Sequence, residues 1–88
     1  MGRERVAVVT GNRREYDEFI RICKIYKIND HEYFYVSDIN RLFGFDRGLR
    51  YILFGQYEGR KDFRDICDRL RILAGRDLTS ATMLYIKL

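Results

Sequence analysis

The chain has 88 residues, 47% of them hydrophobic and 15% aromatic, and its seventeen basic and thirteen acidic side chains leave a net charge of +4. That composition excludes a disordered chain. The length fits one domain, residues 1–88, with a small core, because a domain of this size buries only about 60% of the surface its unfolded chain exposes.

No stretch approaches the ~20 apolar residues of a membrane span. Met1 to Arg5 is followed by only four apolar residues, Val6 to Val9, which is too short for a signal peptide. The expectation is a cytoplasmic protein with reduced thiols. Cys23 and Cys67 stand 44 residues apart and His31 is the single histidine, so no zinc site or other metal site is expected, and no cofactor. Each cysteine falls on the apolar face of a predicted helix and reads as a small buried hydrophobe. Thirteen of the seventeen bases are arginines, which suit bidentate contacts to phosphate or carboxylate. The aromatic surplus is large for so small a core and points to a surface covered by a partner, in the first instance a second copy in a homodimer.

In chain order, Arg5 to Thr10 is an apolar run with three valines and reads as a central strand buried on both faces. Gly11 ends it. Asn12 is a helix N-cap with Glu15 at capping-box spacing. Tyr16, Phe19, Ile20 and Cys23 then follow the spacing of an amphipathic helix that ends near Ile28, before the turn cluster Asn29-Asp30-His31. Tyr33 to Val36 is a second strand. Ser37 or Asp38 caps a short helical turn carrying Ile39, Leu42 and Phe43. Gly44 to Gly48, with Phe45, Asp46 and Arg47 between, is a loop. Arg50 to Phe54 is a third strand, and Gly55 to Arg60 a second strand-to-helix turn. The second helix buries Phe63, Ile66, Cys67 and Leu70 and stops at Gly75. Thr82 to Leu88 alternates loosely and reads either as an extra edge strand or as a docked apolar tail.

Strands alternating with helices specify an α/β fold with a parallel sheet. The predicted architecture is a small three-layer Rossmann-like domain with strand order 2-1-3. Ligands of such sheets sit outside the carboxyl ends of the strands, at the point where the order reverses. That places a candidate anion site at Thr10, Gly11, Asn12, Arg13 and Arg14, with Gln56, Tyr57 and Arg60 across from them. Ser37, Asp38 and Arg41 flank the other side. Backbone amides at a helix start, with Arg13, Arg14 or Arg60, suit a phosphate. Asp38 suits a ribose hydroxyl, and Tyr57 a base.

The competing structural readings are a turn glycine at Gly11, an ordinary cap at Asn12 and another at Asp38. Arginines at 13 and 14 oppose the helix dipole by a few tenths of a kcal/mol each, roughly, which favours an anion beside them. The full glycine-rich dinucleotide fingerprint and the P-loop are both absent. No nucleophile–base set forms, because His31 falls at the other end of the sheet, so a non-catalytic binding protein is the leading expectation. Two alternatives are kept. Tyr33-Phe34-Tyr35 and the Arg47 to Tyr51 stretch interleave aromatics with bases in the manner of a single-stranded nucleic-acid binder. An exposed apolar patch would mark a protein-interaction module.

The order of parts (Val-Val-Thr-Gly-Asn, a helix with Tyr and Phe, Tyr-Phe-Tyr-Val, Arg-Leu-Phe-Gly, Arg-Tyr-Ile-Leu-Phe-Gly, then a charged helix) resembles short Rossmann-like proteins encoded by bacteriophages. The resemblance covers roughly residues 6–74. It implies a small accessory protein of an infected bacterial cell that binds a nucleotide or blocks a host factor. It assigns no residue roles.

Overall fold

The structure is a computed structural model that describes residues 5–28, 31–45 and 47–85, with side chains through Thr82. The predicted turn at Asn29-Asp30, Asp46 of the glycine loop and the Ile86 to Leu88 end lie outside the described residues. The elements are β1 (Arg5–Val9), α1 (Arg13–Ile25), β2 (Glu32–Tyr35), a 3-10 turn (Ile39–Leu42), β3 (Arg50–Leu53), a second 3-10 turn (Tyr57–Gly59), α2 (Phe63–Ile72), β4 (Arg76–Asp77) and α3 (Thr79–Tyr85). Every strand pair is parallel and the order is β2-β1-β3-β4, so the predicted 2-1-3 core is present with β1 inside it.

The valine run of β1 explains that placement. Val6, Ala7, Val8 and Val9 are all fully buried. Alternation sends Val6 and Val8 to one face, against Phe19 and Cys23 of α1, and Ala7 and Val9 to the other, against Ile66 and Leu70 of α2. A helix on each face makes three layers. Among the described residues no helix is long and apolar enough to cross a membrane.

Both long helices end in the same way. Ile28 N–H donates to Cys23 O and Lys27 N–H to Lys24 O, with Lys27 left-handed at φ 55°. Gly75 N–H donates to Leu70 O and Ala74 N–H to Arg71 O, with Ala74 at φ 52°. These are Schellman endings. The first closes α1 three residues before Ile28. In the second, the left-handed position falls on Ala74 rather than on the expected Gly75. Gly75 is required for a different reason: a Cβ there would come within 2.9 Å of the Tyr51 ring and 3.1 Å of Leu70 O.

The C-terminal segment departs from expectation. An edge strand does join β3, but Arg76–Asp77 forms it, and residues 79–85 are helical. The cause is local. Asp77 Oδ1 accepts a hydrogen bond from Thr79 N–H at 2.8 Å and turns the chain away from the sheet. Thr79 Oγ1 then accepts from Leu53 N–H at 2.8 Å, supplying the partner that a longer β4 would have given β3.

Both cysteines are free, Cys23 buried and Cys67 half-buried. Burial pushes the Cys23 thiol from 9.0 up to about 11. Burial also raises the Tyr16 and Tyr51 hydroxyls. A group whose folded pKa exceeds its unfolded value gives stability that is present below the unfolded value and lost as pH rises. Urea-unfolding free energies are therefore expected to fall from pH 9.0 to about pH 11, and Cys23→Ala is expected to flatten part of that decline. A pH-independent stability across that window is the contrary result.

Candidate functional site

At the carboxyl end of β1 the expected anion geometry exists, and the chain fills it. Asn12 caps α1, its Oδ1 accepting from Glu15 N–H at 2.9 Å. The Glu15 side chain folds back to accept from Gly11 N–H at 2.6 Å. It also reaches across to the turn after β3, where Gln56 N–H donates to Oε1 at 3.0 Å and to Oε2 at 3.2 Å. The carboxylate thus sits on two amides from two different strand-to-helix turns, where a phosphate was expected. Gly11 and Gly55 make room for it: a Cβ on either would come within 2.6 Å of a Glu15 carboxylate oxygen. Gly55 is also left-handed at φ 71°.

Arg60 is spent in the same way. Its side chain is only 8% exposed. It forms a two-pronged pair with Asp62, at 2.9 Å and 3.0 Å. It also donates to Thr10 O at 3.1 Å, Val36 O at 2.6 Å and Ser37 O at 2.9 Å. Those carbonyls end β1 and β2, so the guanidinium clamps the carboxyl end of the sheet to the start of α2. Every donor contact described for Arg60 is to the chain itself, which gives this predicted site residue a structural role in the fold.

The other predicted site residues divide. Thr10 is fully buried and donates its hydroxyl to Asn12 O at 2.7 Å. Tyr57 packs against the α2-side core, 5.5 Å from the Phe63 ring. Asp38 caps the first 3-10 turn through Asn40 N–H at 2.8 Å. Gln56 contributes its amide to Glu15. Arg13 and Arg14 are exposed. Arg13 pairs with Asp17 at 3.1 Å, and both partners are about two-thirds exposed, at 68% and 64%. Such a pair is worth only about 0.3–0.5 kcal/mol, so it does not tie Arg13 up.

The open surface lies along the outer edge of β2, beside the predicted turn. A cleft of about 520 Å³ is lined there by Arg13, Tyr16, Ser37 and Arg41 and by Tyr33, Phe34 and Tyr35 of β2. Among the described residues its lining contains no carboxylate. The Arg13 guanidinium lies 5.5 Å and 5.7 Å from the Tyr16 and Tyr35 ring centroids. Those rings are 5.3 Å apart. Tyr16 Oη donates to Tyr33 O at 3.2 Å, and burial holds that hydroxyl above its ordinary range, with Arg13 pulling the other way. Tyr16 is therefore a neutral donor that seals one edge carbonyl of β2. Arg-over-tyrosine surfaces of this kind offer a guanidinium to a phosphate and a flat face to a base.

The sequence signal for this cleft was present but short: Arg13 and Tyr16 share a helix face at i, i+3 spacing, and Tyr35 follows Tyr33 on one face of β2. What joined them was the β1–β2 pairing, which sets Tyr35 opposite Val8. The His31 ring stands 6.2 Å from Tyr33 beside the amino end of β2. Among the described residues no three His, Cys, Asp or Glu side chains gather in a metal-holding group. Comparison of the chain with protein-family models, curated proteins and solved structures gives no match.

Proposed function

We propose that the chain is a non-catalytic binding protein for a ligand that joins a phosphate to an aromatic base, held at the β2 edge beside the first strand–helix turn. One observation carries this reading. The cleft of about 520 Å³ sets two exposed arginines, Arg13 and Arg41, around a tyrosine pair, with no carboxylate in its lining among the described residues. The turn itself is a poorer place for the phosphate, because Glu15 already occupies its amides. Ser37 adds a hydroxyl at the rim. The shallow, open shape suits a ligand held by stacking and charge rather than by enclosure.

Equilibrium titration with nucleoside monophosphates tests it. Binding is expected to weaken as salt rises, since the arginines are exposed. Arg13→Ala combined with Arg41→Ala is expected to weaken it about tenfold or more, each lost charge-assisted hydrogen bond being worth about 1.5–3 kcal/mol. A wild-type protein that binds no nucleotide, or a double variant that binds as well as wild type, overturns the reading.

A further inference from the structure

We propose that the β2 edge takes two consecutive nucleotide units of one nucleic-acid strand, one on each face of the edge strand, with Arg41 between them. This rests on the binding reading above and narrows its ligand to a single strand.

The second half of the site is a smaller opening of about 250 Å³ lined by Arg5, Phe34, Asn40, Arg41, Phe43 and Phe45. It shares Phe34 and Arg41 with the larger cleft. Its parts repeat those of the first. The Arg5 guanidinium lies 5.2 Å and 5.4 Å from the Phe34 and Phe45 centroids, and those two rings stack 5.1 Å apart at 9°. Phe43 is 52% exposed and so leaves much of its ring open. The Arg69 guanidinium stands 4.5 Å from the Phe43 centroid. Its buried Nε has no hydrogen-bond partner among the described residues.

The strand geometry separates the two halves. Successive residues of a strand point to opposite faces, so Tyr35 serves the α1 side and Phe34 the α2 side of β2. A mononucleotide has one base and so stacks on one side of the edge only. A flexible strand crossing the edge can, setting one base near Tyr16 and Tyr35 and the next on Phe43 or Phe45. The phosphate between them then falls to Arg41, which lines both openings. Charge agrees with that occupant: among the described residues the two linings together hold Arg5, Arg13 and Arg41 and no acidic side chain.

Competition binding with thymidine monophosphate, dithymidylate and tetrathymidylate tests the proposal. The dinucleotide is expected to bind about tenfold or more tighter than the monophosphate, because a second base gains a stacking surface. Lengthening beyond two units should add less. Phe43→Ala is expected to remove the gain while leaving monophosphate binding unchanged. Arg5→Gln is a second variant for the same purpose, and circular dichroism checks that each folds. If the monophosphate binds and the dinucleotide binds no tighter, this inference fails and the reading above stands. If the length gain survives in both variants, or if a duplex binds as tightly as the single strand, the assignment to the second opening fails. If no nucleotide of any length binds, both proposals fail.

Discussion

Arg60→Ala is expected to cost about 3–5 kcal/mol of folding stability, the usual loss when one partner of a buried, hydrogen-bonded ion pair is removed. The site explains why the loss sits at the high end for a single charged residue. The guanidinium is 8% exposed and satisfies three main-chain carbonyls at once, those of Thr10, Val36 and Ser37. Thr10 and Val36 are themselves fully buried, so water cannot take over without opening the end of the sheet. Each buried acceptor left unpaired costs about 1–3 kcal/mol. Asp62 softens the effect, because its side chain is 31% exposed and can find water. For a small domain with a total stability of about 5–15 kcal/mol, the change removes a large share. Arg60→Lys should fall between wild type and Arg60→Ala, since an ammonium keeps the charge but cannot serve Asp62 in two-pronged fashion and three carbonyls besides. Urea unfolding followed by circular dichroism measures both. A loss below about 1 kcal/mol for Arg60→Ala would show that the clamp carries little.

Arg60 also shows what local sequence reading can and cannot supply. The Asn12 cap followed from residues within a few positions of one another, and the strand order and three layers from the alternation of strands and helices along the chain, which leaves few topologies. The roles of Arg60 and Glu15 depend on partners 23 to 50 positions away. Nothing in the spacing of Gly-Arg-Lys reveals that its arginine will face the ends of β1 and β2 rather than a ligand. Local chemistry also misled where two residues compete for one role. Gly75 looked like the left-handed end of α2, yet Ala74 takes that conformation and Gly75 instead lies close against Tyr51. The C-terminal segment had a weak period-2 pattern, yet the chain turns at the Asp77–Thr79 hydrogen bond and residues 79–85 are helical. The aromatic–arginine edge was half legible. Its residues were visible as a mixed basic and aromatic stretch, but their meeting required the parallel pairing of β1 with β2.

Glu15→Ala should cost about 2 kcal/mol and, unlike Arg60→Ala, should be partly repaired by added phosphate. The Glu15 carboxylate accepts from Gly11 N–H and doubly from Gln56 N–H; a hydrogen bond to a charged group contributes about 1.5–3 kcal/mol net, and the bonds of one carboxylate are not additive. The site is only partly buried, so the lower end applies. Removing the side chain leaves two amides from facing turns aimed into the space between Gly11 and Gly55, next to the positive end of α1. That is the arrangement in which helix starts bind anions. Inorganic phosphate or sulfate is therefore expected to raise the midpoint of thermal unfolding of Glu15→Ala more than that of wild type, whose own carboxylate excludes the ion. Glu15→Gln separates shape from charge. It keeps an acceptor near Gly11 but loses the second charged oxygen, so it should lose less stability and gain less from phosphate. Potassium chloride at equal ionic strength controls for general screening. Equal responses of wild type and Glu15→Ala to phosphate would mean that the first turn is not an anion site with Glu15 in it. The phosphate reading for that turn would then fail independently of what binds at the β2 edge.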